Sequence, residues 1–419
     1  MNTLVNKHDD ARAILRANDR GGYTVPTHGL YPYQWNWDSA FVALGFAEFD
    51  RARAWDEIET LMRGQWDNGM VPHILFHQPD DGYFPGSDVW QGTGPIPSSG
   101  ITQPPVGMSF AVRLWRKDPS VGTDKLRAIW PMLAKWAAWF LDWRCHEGAI
   151  FVTHPWESGR DNAACWDEAL KQIDPVGVGE YTRRDTSHVD ASMRPTKFDY
   201  DRYIWLVQRG AAANWDDATL AAEPAFRVLD PTMTFTLLRG MRDLAASGDE
   251  LGFDTTDLKE HIARVETGAE RLRNPDTGFF DSQDLATGTW GGGLTNASFL
   301  CWFAGLAAPD MLPRLQEVLT HCKYGVPSLD PQDPRYDAKR YWRGPTWGMM
   351  NMMIGEGLAE QGHTDLANTV REMTRDLIIR HGFAEYFDAQ TGAGAGGDAF
   401  SWTAAVWLIW AGQTNGGEG

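Results

Sequence analysis

The sequence predicts an all-α protein arranged as a double ring of helices. Three observations lead there. Apolar residues recur with a period near 3.6 through most of the chain, in stretches of ten to twenty residues separated by Gly, Pro, Asn and Asp. The helices come in pairs, a polar Gly- or Trp-rich loop leading into one and a blander amphipathic helix following it. Alternating strand-like patterns are few. Inner helices lining a funnel and outer helices wrapping it satisfy all three. An irregular α-solenoid is the alternative, weakened by the lack of a fixed sequence period.

The periodicity places helices over 10–17, 37–48, 51–66, 103–115, 123–144 and 162–171. It continues over 199–212, 231–247, 255–273, 294–307, 311–322, 345–361, 364–381 and 400–412. Strands are expected only at 148–153 and 278–281. No linker or low-complexity stretch divides the chain. Residues 1–419 therefore read as a single domain, with loop insertions around 78–102 and 172–200. The Gly/Pro/Ser-rich part of the first insertion, 81–100, has the length of a lid or binding loop. The Gly-rich run 392–397 is a second candidate for mobility, and 414–419 is expected to fray.

Composition narrows the function. The 419 residues carry 38 Lys and Arg against 56 Asp and Glu, a net charge of -18. So acidic a chain argues against nucleic acid or an anionic membrane as partner, since phosphate binding needs clustered cations. Cys145, Cys165, Cys301 and Cys322 are widely spaced without a CxxC pair, so reduced thiols are expected. The polar N-terminus lacks the apolar core of a signal peptide, and no apolar run reaches the ~18 residues of a membrane span. A soluble cytoplasmic protein is the expectation; a homo-oligomer stays open. The 21 tryptophans admit a large aromatic core or flat faces for a pyranose.

Five segments mix aromatic and polar residues at loops and helix starts: YPYQWNWDSAF from Tyr31, GMVPHILFH from Gly69, HPWESGRDNAACWD from His154, YWRGPTWGMMN from Tyr341 and GFAEYFDAQTG from Gly382. A core does not need Trp beside Asn, Asp and Arg, whereas a sugar site needs stacking faces and hydrogen-bond partners together. Asp161 reads either as the cap of a following helix or as a carboxylic acid held near neutrality in an aromatic cleft, able to protonate a leaving oxygen. Glu385, between Phe383 and Tyr386, reads either as a surface hairpin carboxylate or as a functional one, because a carboxylate among aromatics is costly unless used. His73 and His77 stand four apart, but Pro72 and the lack of a third ligand nearby argue against a metal pair. No phosphate-binding Gly-rich loop or serine elbow occurs.

Taken as a set, ESGRDN at Glu157–Asn162, YWRGPTW at Tyr341–Trp347, AEYFDAQTG from Ala384 and YQWNWDSAF from Tyr33 resemble glycoside hydrolase family 63. The blocks keep their order and cover most of the chain. The chain lacks the N-terminal β-domain of larger members and is most similar to the compact bacterial branch that hydrolyses the compatible solutes mannosylglycerate and glucosylglycerate. The resemblance implies an (α/α)6 barrel, inversion at the anomeric carbon, and no metal or other cofactor in catalysis. It implies Asp161 as general acid and Glu385 as general base, their carboxyls roughly 6.5–9.5 Å apart to admit a water.

Around that pair, Tyr31, Trp35 and Asp38 are expected to line the sugar subsite, with Asp38 accepting from hydroxyls. Trp156 packs against the ring, and Trp342 and Trp347 wall the same pocket; core packing is the alternative for each Trp. Gln103 belongs on the rim or at a helix start. For the glycerate carboxylate the preferred pair is Arg194 with Tyr200, because Arg grips carboxylates in bidentate fashion. Arg183, Arg184, Lys197 and Arg202 compete for that role. Tyr83 and Tyr341 are expected to close over the product side as a gate. The expectation is thus an inverting exo-α-glycosidase acting on a small glycoside. An oligosaccharide α-glucosidase or a non-catalytic sugar-binding protein are the alternatives.

Overall fold

A computed structural model describes residues 2–184 and 190–413. Residues 185–189 of the expected insertion 172–200, and 414–419, lie outside the described residues. The architecture is an (α/α)6 barrel. Its inner ring runs Asn36–Ala47, Val106–Lys117, Pro231–Leu251, Asn296–Cys301, Gly348–Glu360 and Ser401–Val406, each packed on the next and the last packed back on the first. The outer helices Arg51–Met62, Pro119–Trp143, Thr256–Ala269, Met311–Thr320 and Thr364–His381 follow the first five in sequence, and Asn2–Asn18 covers the sixth.

Local chemistry explains the starts and the layering. Asp50, Asp118 and Asp230 each cap a helix by accepting a backbone N–H of the first turn, and Pro119 and Pro231 occupy first-turn positions where no N–H is needed. Every residue of Asn36–Ala47 is buried, as a stave surrounded on all sides must be. Thr364–His381 buries only Ala367, Val370, Thr374, Leu377 and Ile378, one stripe facing inward. The ring closes at Gly45, where a Cβ would stand 2.8 Å from that of Ala405.

The structure departs from the sequence expectations in several places. The stretch 162–171 is a 3-10 turn, Ala164–Trp166, and a single helical turn, Asp167–Leu170. The stretch 294–307 is a 3-10 stave, Asn296–Cys301, and 400–412 turns into a π-helix after Val406. Periodicity marks a buried face but does not separate i+3, i+4 and i+5 bonding. At 278–281 there is only an isolated bridge between Arg273 and Phe280. The helix expected at 199–212 exists as Lys197–Ala212 but stands outside the inner ring, packed on the one-turn helix Ser87–Trp90 of the 78–102 loop. That helix and the turn after it brace the 78–102 loop: Tyr200 Oη donates to the Phe84 carbonyl at 3.3 Å, and Trp215 Nε1 to that of Trp90 at 2.6 Å.

Short antiparallel pairs anchor the loops that matter. Gln34–Trp35 pairs with Ile74–Leu75, and Tyr386–Phe387 with Gly394–Ala395. Ala149–Val152, inside the expected strand, joins Cys145–His146, Val228–Leu229 and Gln283–Asp284 in a four-stranded ribbon. Thus the Gly-rich run expected to be mobile is the strand partner of the segment following Glu385. No described helix is long and apolar enough to cross a membrane.

Candidate active site

The loops leading into the inner helices converge on one cleft. It holds about 840 Å³ of space, its open mouth included, and Asp161 and Glu385 both face it. Two carboxylates far apart in sequence are therefore brought to one place by ring closure.

Glu385 is buried and accepts four hydrogen bonds. Oε1 receives the hydroxyls of Tyr31 and Tyr341, each at 3.0 Å. Oε2 receives Arg194 Nη2 at 3.1 Å and the Gly397 backbone N–H at 3.0 Å. The Glu385 N–H donates in return to the Gly397 carbonyl at 2.8 Å. Gly396 makes this clamp accessible, because it adopts φ +74° and a Cβ there would run into the Glu385 carboxylate. A buried carboxylate is tolerated when its lone pairs and charge are matched in this way.

Asp161 follows the sharp turn Glu157–Gly159, whose Gly159 takes φ +67° against the Trp37 ring. It does not cap a helix: the 3-10 turn after it has Ala163 at the cap position and no side-chain cap bond. Arg160 and Trp166 fix the loop from below. Arg160 is ion-paired with Asp230, itself the cap of an inner helix, and Trp166 Nε1 donates to the Arg160 carbonyl at 2.8 Å. Tyr203 accepts from Asn162 N at 3.1 Å. Burial raises the Tyr203 hydroxyl's pKa first and the charge of Asp161 next. Tyr341 feels Glu385 and Asp161 alike; burial, then Glu385, then Tyr31 and Asp161 push its pKa well up.

Tyr31, Trp35, Asp38, Tyr83, Gln103, Trp156, Arg194, Tyr200 and Tyr341 all line the cleft. Asp38 is 3% exposed, and burial followed by the charge of Glu385 holds its pKa well above the usual carboxylate range. Gln103 accepts from the Trp37 N–H at 3.2 Å, holding the first turn of the first inner helix. Trp156 lies beside His73, with ring centroids 6.3 Å apart and nearly parallel. Trp35 packs edge-on against Tyr31 and Tyr83.

Two expectations are corrected by these positions. Trp342 and Trp347 do not wall the cleft: they stack on each other at 3.8 Å, with Trp347 also stacked on Tyr386. Thr346 pairs with Phe387 in both directions, and this turns Trp347 under the Glu385 segment. Tyr341 is no gate, being buried with its hydroxyl on Glu385. Arg194 and Tyr200 both line the cleft, and Arg194 is ion-paired to Glu385 and lies 4.3 Å over the Tyr341 ring. Of its competitors, Arg184 reaches the cleft wall, while Lys197 and Arg202 pair with Asp201 and Asp199.

Sequence reading missed Trp37, His73, Trp90, Phe400 and Trp402 as cleft residues. Trp37 lay inside a quoted block, two positions from Trp35 and one from Asp38, and that was the available signal. Trp90 stood in the 81–100 stretch read as a lid or binding loop, whereas Phe400 had no signal, since only the packing of distant loops brings it in. His73 bonds Ser99 Oγ at 2.9 Å and His77 bonds Gln34 Oε1 at 2.7 Å, so the two histidines serve separate partners.

Two carboxylates, Asp161 and Glu385, lining one indole-rich cleft in the mouth of an (α/α)6 barrel define a glycoside hydrolase. Comparison with known proteins agrees. Residues 31–403 match the family described as the mannosylglycerate hydrolase MGH1-like glycoside hydrolase domain. The chain is 42% identical to mannosylglycerate hydrolase MGH1 of Selaginella moellendorffii, over 95% of this chain and 84% of that one. It is 33% identical to the glucosylglycerate hydrolase of Mycolicibacterium hassiacum, over 96% and 97%. The crystal structure of a GH63 mannosylglycerate hydrolase from Thermus thermophilus in complex with Tris and D-glycerate superposes with a TM-score of 0.92 and 39% identity, covering 96% of this chain and 99% of that one. The chain belongs to the MGH1-like glycoside hydrolase family.

Proposed function

We propose that this chain is a cytoplasmic, inverting exo-α-glycosidase that hydrolyses mannosylglycerate or glucosylglycerate to hexose and glycerate. Asp161 donates a proton to the glycosidic oxygen as the C1–O bond breaks, and Glu385 takes a proton from the water that attacks C1 from the opposite face. Asp38, whose pKa burial and then the charge of Glu385 raise, accepts hydrogen bonds from sugar hydroxyls. Trp35 and Trp156 give the ring its apolar walls, Gln103 steadies Trp37, and Tyr83 borders the open side. Tyr31 and Tyr341 orient Glu385 through Oε1. The glycerate carboxylate goes to Arg194, with Tyr200 alongside.

The observation that carries this reading is the convergence of Asp161, Glu385 and the buried guanidinium of Arg194 on one cleft. Arg194 sets a buried cation in the cleft wall, and a glycerate aglycone brings the carboxylate it can grip. The four cysteines are unpaired, in keeping with a reducing compartment. The test is a substrate panel: mannosylglycerate, glucosylglycerate and the corresponding α-glycosides of glycerol, which lack the carboxylate. Turnover of a glycosylglycerate with kcat/KM at least about a hundredfold above its glycerol counterpart is expected, the value of one charge-assisted bidentate contact of about 3 kcal/mol. Equal turnover of both removes the assignment.

A further inference from the structure

A carboxylate offers about four lone-pair directions, and a general base must present one of them to water. In Glu385 all four are met by protein donors: Tyr31, Tyr341, Arg194 and Gly397. One donor has to leave before a water can be activated. The geometry says which. Gly397 N–H is locked by the reciprocal bond from Glu385 N to its own carbonyl, in line with the strand pair beyond it. Tyr341 is wedged edge-on against Trp347 and Tyr386. Tyr31 is wedged edge-on against Trp35 and Phe400. Arg194 itself differs from the others. Its Nε is buried with no hydrogen-bond partner, so the guanidinium has donor capacity left over. Exchanging Glu385 for another carboxylate keeps the guanidinium paired, and the Glu385 charge left behind is still held by the neutral donors Tyr31, Tyr341 and Gly397 N–H.

We infer that Arg194 is a latch on the general base which the substrate's own carboxylate releases. In the empty cleft Arg194 caps Oε2 of Glu385. An aglycone carboxylate draws the guanidinium, Nε included, onto itself and opens the Oε2 lone pair to the attacking water. Hydrolysis then depends on the anion through kcat and not only through KM, because the contact creates the competent base besides holding the substrate. The inference rests on the proposed aglycone contact of Arg194 and adds a consequence that contact alone does not have.

Glycosyl fluorides separate the two. Attack of water on C1 of α-mannosyl or α-glucosyl fluoride breaks C1–F, fluoride leaves with the electron pair, and the water's proton goes to Glu385. The small leaving group keeps the aglycone space open for added D-glycerate. With the wild-type protein, saturating D-glycerate is expected to raise fluoride turnover about three- to tenfold, the range for a latched state holding roughly 70–90% of the molecules. Glycerol, which lacks the charge, should not. Arg194→Met should hydrolyse the fluoride without any response to glycerate. If D-glycerate binds by calorimetry yet leaves wild-type turnover unchanged or only inhibits it, or if Arg194→Met responds as the wild type does, the latch is refuted while the aglycone assignment stands. If D-glycerate does not bind at all, the aglycone assignment fails and takes the latch with it.

Discussion

A glycosidic oxygen needs a proton to leave, and fluoride does not. That difference separates the two carboxylates at the scale of single residues. Asp161→Asn should lower turnover of a glycosylglycerate by about 10²–10⁴-fold and affect fluoride far less, while Glu385→Gln should depress both by a comparable factor. Steady-state rates on the two substrates check this; equal losses for both variants on both substrates would contradict the division of labour. Residue chemistry was partly legible in the sequence. The ESGRDN and AEYFDAQTG blocks marked both acids, and Arg194 was singled out for its charge. Its actual partner was not legible, because Arg194 and Glu385 meet only when a rim loop and a strand pair from distant parts of the chain close over one cleft. Trp342 and Trp347 show the same limit, since a Trp-rich block does not say which indoles face the cavity and which prop it from behind.

At the scale of elements, the site is assembled by the entrances to the inner helices. Asp38 lies in the first turn of Asn36–Ala47, Gln103 precedes Val106–Lys117, and Tyr341 precedes Gly348–Glu360. Most long helices could be read from their periodicity and caps. The short irregular elements could not: the 3-10 stave Asn296–Cys301, the turn carrying Asp161 and the two-residue strand pairs are set by tertiary contacts rather than by local pattern. The turn before Asp161 and the strand pair after Glu385 also carry the two carboxylates that face the cleft. Regular periodicity thus predicted the scaffold and was silent on the joints.

Across the whole molecule, buried and half-buried histidines tie stability to pH. His154 accepts the Trp156 N–H on Nδ1 at 3.0 Å and bonds the Tyr203 carbonyl through Nε2 at 3.0 Å, an arrangement the neutral ring alone satisfies. Burial lowers its pKa from 6.5 to about 3, that of His77 to about 4, and that of His73 well below 6.5. Unfolded, each takes up a proton near pH 6.5 that the folded form refuses, so their contribution is complete above that pH and is lost as pH falls toward 3. Asp38 and Glu57, whose pKa values burial raises, act in the opposite sense. His154→Gln isolates one term. Between pH 6 and 4 the variant should lose stability less steeply than the wild type, by at most about 1.4 kcal/mol per pH unit, as read from denaturant unfolding. Identical slopes would place a charged His154 in the fold.

Inversion is the consequence of the proposed mechanism that depends on the whole arrangement at once: barrel closure, with Asp161 as acid on one face of the sugar and Glu385 activating water on the other. It is read most directly by proton NMR of the anomeric region during the first turnovers of mannosylglycerate or glucosylglycerate, before mutarotation. The β-anomer of the released hexose is expected to appear first, from an α-linked substrate. The α-anomer appearing first would contradict the mechanism, because Glu385 would then be acting on the sugar and not on water.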